Sequence, residues 1–512
     1  MENGLWLVLA IAAILFYAFK ETRSAPLTSK PIVVLPFKND NPDKADEYLS
    51  DSLTGEFINR LKKVQGLKPF RVPQSMATNR LDVLRMWLVN VPTIFVGNVQ
   101  KTGAQLRMTA RLVNAADLQP LWTNSYPLNT NRALTLSGDL VGDITTALEI
   151  PLTAAERQQI KTTPTQIPEA YDAYLRGKFH SRFTLEANNR LAIEMLEQAV
   201  KLDTNFALAY TELGRVYANR LAGLKPNEKE WEVKAKRVIE KALSLNTNLA
   251  EAHFSSANLL WTPSQQFQHE PAIRELLIAL HLDPQSEDAD WLLNMVYGHV
   301  GLYDECKWLS DRAIQDNPLE PRGYWTRGLA FMSQGQYSLA LETWGNARGD
   351  HWIPPLGDWL RAWSHFQLGE TNETRAIIDD FLKKRPDDYG GLFGSLRAML
   401  YAKAGDTNNA EKEIVMAQQG KAFVHFHHTT YQIAAAYALM NNPDKAIHWF
   451  KKTVADGFNS YPFFRDDHNL DSLKGNQKFE DLMAKEKEKY DYYKTNFGIG
   501  SLAWGRLQRD RK

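Results

Sequence analysis

The sequence predicts an α/β amino-terminal domain followed by an all-α solenoid, with one transmembrane helix ahead of both. Three observations carry this. Residues 4–19 run sixteen positions without a charge. Residues 31–150 mix β-rich apolar runs with segments of helical spacing. Beyond Pro151 only helical segments follow, with small residues returning every 34 positions. The boundaries drawn are 1–25 for the anchor and its flank, 26–150 for the α/β domain, 151–457 for the repeats and 458–512 for a carboxyl-terminal cap and tail.

The 512 residues carry 60 basic and 60 acidic side chains, a balance that argues against a nucleic-acid footprint. A lone cysteine, Cys306, excludes an internal disulfide and any multi-thiolate zinc site. Fourteen tryptophans are the one oddity of the composition.

The run GLWLVLAIAAILFYAF reaches the lower length limit of a membrane span, with Trp6 and Tyr17 placed for the two interfaces. Glu2 and the absence of lysine or arginine before it argue against a cleaved signal peptide. Lys20, Arg23 and Lys30 on the far side weakly favour a cytoplasmic body by the positive-inside rule.

Pro31–Phe37 reads as a buried strand, and Ala45–Val64 as a helix with Leu49, Leu53, Phe57, Ile58 and Leu61 on one stripe. A strand is expected near 68–72, a helix near 79–89, three strands at 93–99, 105–114 and 121–126, and a closing helix over 132–148. The blocks IVVLPFKND, EYLSDSLTGEFINRLKKVQGLKPFRVPQ and IFVGNVQKTGAQLRMTARLVNAADLQPLWTNSY stand in order along this region. They resemble the TolB-like amino-terminal domain, which precedes tetratricopeptide repeats in CadC-type membrane regulators and adenylate-cyclase-linked proteins. The expectation differs from those proteins in two respects: no DNA-binding winged helix and no cyclase domain are read in this chain.

Ala272, Cys306 and Ala340 are 34 apart, and Ala279, Ala313 and Ala347 follow each by seven. The register continues through Ala376, Ala410 and Ala446, and backward through Ala192 and Ala235. This is the tetratricopeptide period, with about eight units between 169 and 457. Small residues let the paired helices approach (Gly214, Gly328), bulky ones such as Tyr217 and Phe450 fill between them, and Pro284, Pro318 and Pro386 end helices. A charged helix, Asn476–Tyr493, caps the array, its KEKEK run at 485–489 a solvated face. The basic tail Ile499–Lys512 is expected to fray.

No nucleophile elbow, phosphate loop, dinucleotide loop or His-Glu-x-x-His is present; Gly97–Gly103 has the wrong spacing for a phosphate loop. The expectation is therefore a protein without catalytic residues, cofactor or dedicated metal site. Trp325, Trp344, Trp352, Trp359 and Trp363 crowd one stretch and are the candidate groove anchors for a partner. His425, His427 and His428 form the densest histidine cluster, with His448 in the same unit; solvated or structural imidazoles are the simple reading, pH or metal sensing the sharper one. Cys306 stands where neighbouring units carry alanine, as a small inert thiol.

The functional reading is a membrane-anchored scaffold that binds a protein or peptide in the repeat groove. The alternatives are the sensory half of a CadC-like system without its own DNA-binding domain, or an accessory to nucleotide-cyclase signalling. The resemblance implies an inner-membrane protein with a periplasmic body.

Overall fold

The structure is a computed structural model that describes residues 29–40, 47–72, 91–102, 105–183, 185–221, 228–346, 356–420 and 423–510. The apolar run 4–19 and the helix expected near 79–89 lie outside the described residues. Among the described residues no helix is long and apolar enough to cross a membrane.

The amino-terminal sheet holds β1 (Lys30–Val34), β2 (Lys38–Asn39), β3 (Leu67–Arg71), β4 (Thr93–Thr102), β5 (Gln105–Asn114) and β6 (Pro120–Leu128). Its order is β3-β1-β4-β5-β6, with β2 beside β4. Strand β1 runs parallel to both neighbours, Ile32 opposite Pro69 and Thr93, whereas β4, β5 and β6 form an antiparallel meander. Helices α1 (Glu47–Leu61) and α2 (Thr130–Ala147) cover one face, packing Leu53, Phe57, Leu140 and Ile144 against Ile32, Val34 and Phe95. A central parallel strand must be apolar on both faces. On the other face Val33 and Ile94 are sealed with Val72, Val113 and Leu319, the last supplied by the repeat array.

A short helix, α3 (Ala154–Lys161), opens with a Thr153/Glu156 capping box. Eight antiparallel helix pairs follow among the described residues. They are α4 (Pro168–His180) with α5 (Glu186–Leu202), α6 (Ala207–Asn219) with α7 (Glu230–Leu245), and α8 (Ala250–Leu260) with α9 (His269–Leu282). Next come α10 (Glu287–His299) with α11 (Tyr303–Asp316), and α12 (Pro321–Ser333) with α13 (Tyr337–Asn346). The last three pair α14 (Leu356–Gln367) with α15 (Thr371–Lys384), α16 (Leu392–Lys403) with α17 (Thr407–Ala417), and α18 (Phe426–Leu439) with α19 (Pro443–Ala455). The molecule is thus mostly a tetratricopeptide-like helical solenoid with a small amino-terminal sheet.

The steric logic of the repeats is visible at Gly328. A Cβ there would collide with the indole of Trp344, whose Nε1 donates to the Trp325 carbonyl at 3.2 Å. The turns inside the last five pairs share a second device. Gly301, Gly335, Gly369 and Gly405, with φ between 76° and 83°, and Asn441, with φ 56°, end the first helix in the left-handed conformation.

The α/β domain is welded to the array. The Glu56 carboxylate takes an ion pair from Lys178 at 2.7 Å, and Ser52 donates to the Leu175 carbonyl at 3.0 Å. One apolar core runs from Ile32 through Tyr171 and Leu213 to Ile239.

The carboxyl-terminal segment turns back across the array. It comprises α20 (Tyr461–Asp466), a 3-10 turn (His468–Leu473), α21 (Gln477–Phe497) and α22 (Leu502–Asp510). Asn459 N donates to the His299 carbonyl at 3.0 Å, and the Tyr431 hydroxyl donates to Asp467 at 2.6 Å. Buried Glu305 accepts from Lys494 at 2.9 Å and from the Ile499 amide at 2.6 Å. The expected fraying of 499–512 is corrected over α22: Trp504 and Leu507 are buried, and the Trp504 ring lies 5.0 Å from that of Trp308. Three-residue spacing puts both on one helix face, and that apolar edge outweighs the basic character of the tail.

Candidate functional site

Where the carboxyl-terminal segment meets the first helices of the middle pairs, a chamber of about 220 Å3 remains. Helices α10, α12, α14 and α18 supply its walls, and Phe458 and Phe463 line it from the returning segment. Five indoles line it: Trp261, Trp291, Trp325, Trp359 and Trp363. Engineered apolar cavities of about 150 Å3 are large enough to bind benzene. This chamber has room for a somewhat larger ring system.

The candidate groove anchors fall as follows. Trp325, Trp359 and Trp363 are buried and line the chamber, the Trp359 and Trp363 rings side by side with centroids 6.4 Å apart. Trp344 is buried behind them, in the helix-pair contact with Gly328. Trp352 lies outside the described residues. Trp359 Nε1 donates to Gln432, whose amide, turned so that its nitrogen donates to Ser395 Oγ, receives that bond at 3.0 Å. The indole nitrogens of Trp291, Trp325 and Trp363 find no acceptor among the described residues. An indole nitrogen can only donate, and leaving it buried without an acceptor costs about 1–3 kcal/mol.

One wall is built of histidines. His425, His427 and His428 stand at the start of α18, and His299 at the end of α10 joins them from 128 residues away in sequence. One ring nitrogen from each of the four lies within 4.8 Å of the others. The His299 Nε2 to His427 Nε2 separation is 3.1 Å, and His425 Nδ1 lies 3.3 Å from the same His427 atom. His299 Nδ1 donates to the Met295 carbonyl at 2.8 Å, and His427 Nδ1 donates to the Asp456 carbonyl at 2.8 Å. Burial drives the His299 imidazole down to about 4. Burial and the neighbouring His299 drive His425 to about 3, and burial with mutual repulsion holds His427 and His428 well below the ordinary range. These rings are neutral at physiological pH.

His269 is the instructive contrast. Its Nδ1 accepts from Trp261 Nε1 at 3.1 Å and its Nε2 donates to the Gly457 carbonyl at 2.9 Å, so both nitrogens are satisfied. His448 lies on the exposed face of α19, away from the cluster. Cys306, donating to the Asn294 carbonyl at 3.3 Å, touches the chamber as well, and burial pushes its thiol well above the ordinary value.

Sequence reasoning did not find His299, because nothing local marks it. The left-handed glycines at 301, 335 and 369 repeat at 34 residues and would have located the end of α10, though not what that end faces.

No family model matches the chain. The sequence is 24% identical over 244 residues to Putative adenylate cyclase 3 of Rhizobium meliloti (strain 1021), a stretch covering 45% of this chain and 40% of that protein. Among solved structures, the Cut9–Hcn1 assembly of the APC/C aligns at a TM-score of 0.32 and 12% identity, over 75% of this chain and 83% of that one. A tetratricopeptide repeat protein from Parabacteroides merdae aligns at 0.27 and 15% identity, over 59% and 98%.

Proposed function

We propose that this chain is a non-catalytic, membrane-anchored binding protein of the TolB-plus-repeat architecture. Its solenoid takes up a compact, largely apolar ligand bearing a hydrogen-bond acceptor and presents the resulting state to a protein partner. The observation that carries the reading is the chamber: five indoles, three of them with buried nitrogens that find no acceptor among the described residues. Stacked rings supply apolar contact area, and unmatched donors select an acceptor. The inner face at this point is occupied by the protein's own returning segment, so a partner engages the remaining repeat surface or displaces that segment.

The similarity to a protein named as an adenylate cyclase favours a second reading within the same class, in which the chain serves nucleotide-cyclase signalling as its sensory or accessory component. The kinship with CadC-type regulators, and an inner-membrane setting with a periplasmic body, belong to the proposal on the resemblance of residues 31–150.

The test uses the full chain in detergent, titrated with naphthalene and with naphthalene-2-carboxylate while tryptophan emission and thermal melting are followed. Both probes should shift the melt, the carboxylate more. Ala330→Leu, which fills the chamber from α12, should abolish the shift in a folded protein. Trp325→Phe should weaken the carboxylate alone. Unchanged melting with either probe, or full binding by Ala330→Leu, overturns the chamber reading. A carboxyl-terminal alkaline phosphatase fusion should be active, and an active cytoplasmic reporter in its place overturns the periplasmic setting.

A further inference from the structure

We propose that His299, His425, His427 and His428 form a binding site for a divalent transition-metal ion of the zinc class, set in the wall of the chamber. His299 and His427 each spend the Nδ1 hydrogen on a backbone carbonyl, Met295 and Asp456 respectively, at 2.8 Å. In a neutral ring the Nε2 atom is then a bare lone pair, yet the two Nε2 atoms face each other at 3.1 Å. Two lone pairs at that distance repel unless a proton or a cation lies between them. A metal ion resolves the same geometry with neutral ligands.

The distances suit it. Imidazole nitrogens bind zinc at about 2.0–2.1 Å, which makes the edge of a tetrahedron about 3.3 Å. The two short separations here are 3.1 and 3.3 Å, and both share His427 Nε2. His428 offers a fourth nitrogen within 4.8 Å. The carbonyls of Met295 and Asp456 already act as the outer partners that fix ring tautomer and orientation in metal sites. An all-imidazole, water-poor donor set suits zinc, copper or nickel and disfavours calcium or magnesium. Neutral ligands leave the ion's charge uncompensated. His299, His425 and His428 also line the chamber, so an anionic group held there is the natural counter-charge.

The experiment loads the purified full-length chain with Zn2+ or Co2+ alone, dialyses it against metal-free buffer and measures retained metal. One ion per chain should remain, the cobalt form should show the intense visible bands of tetrahedral coordination, and X-ray absorption should show three or four imidazoles. His425→Phe keeps a ring beside Trp261, 5.3 Å away, and removes one ligand. It and His299→Asn should each lower affinity by at least about 10-fold. His448→Gln, on the exposed face of α19, should not. No retained ion in the natural chain, an oxygen-only coordination shell, or undiminished affinity in both variants overturns the site. If either variant fails to fold, the absorption spectrum of the natural chain decides alone.

Discussion

His299 and His427, 128 residues apart, bring their Nε2 atoms to 3.1 Å inside the protein, each ring held by a carbonyl on its far side. This contact joins the fourth helix pair to the eighth. It brings α10 and α18, far apart in sequence, together beside the chamber. Four predictions concern how the molecule is held together.

Gly328→Ala should destabilise the protein despite alanine's better helix propensity, worth about 1 kcal/mol. The added methyl has no room beside Trp344, and overpacking of this kind costs about 1–3 kcal/mol. Urea unfolding followed by tryptophan emission checks it. Equal or greater stability would mean that the α12–α13 contact is loosely packed.

Glu56→Gln should loosen the α/β domain from the first helix pair by about 2–3 kcal/mol, because it leaves the Lys178 charge half-buried without its partner. Burial opposes ionisation of Glu56, but Lys178, Arg60 and Lys63 prevail and hold its carboxyl below the ordinary 4.5. A depressed folded value means the contribution is complete above 4.5 and disappears as pH falls through the lowered value. The natural chain should lose stability on acidification in that range, and the variant should lose less. Parallel pH profiles for the two proteins would refute the assignment.

Glu305→Ala should release the returning segment. Lys494 and the Ile499 amide both lose their acceptor, a change of about 2–4 kcal/mol. Hydrogen exchange should accelerate in α21 and α22 while β1 and β4 keep their protection. Uniform exchange throughout the chain would show that the segment does not open separately.

Cys306 should stay unreactive toward thiol reagents in the native protein and label only as fast as the chain opens, since burial raises its thiol and leaves little thiolate. Cys306→Ala should cost no more than about 1 kcal/mol, because Ala272 and Ala340 fill the equivalent place in adjacent units. Rapid labelling under native conditions would show that the chamber admits the reagent.

Much of this fold can be read from local pattern. Buried Ala272, Cys306 and Ala340 recur at 34 residues because each sits where two helices of a pair approach, a short-range steric demand that every unit repeats. The strands at 93–102 and 105–114 follow from alternation of apolar and polar residues. The histidine run at 425–428 was visible as composition, but its fourth member was not. Nothing in the residues around His299 distinguishes it from the solvated or core histidines that end other helices.

The sequence by itself determined the parts: a small sheet domain, stacked helix pairs, small residues at their contacts and a concentration of tryptophan on the repeat helices. Only the tertiary structure decided that Trp325, Trp359 and Trp363 line an interior chamber, that α22 packs instead of fraying, and that four histidines converge. Periodicity reports which face of a helix turns inward, because that depends on neighbours a few residues away. What the inward face meets depends on contacts such as Asn459 with His299 and Glu305 with Ile499, whose partners lie far apart in the chain.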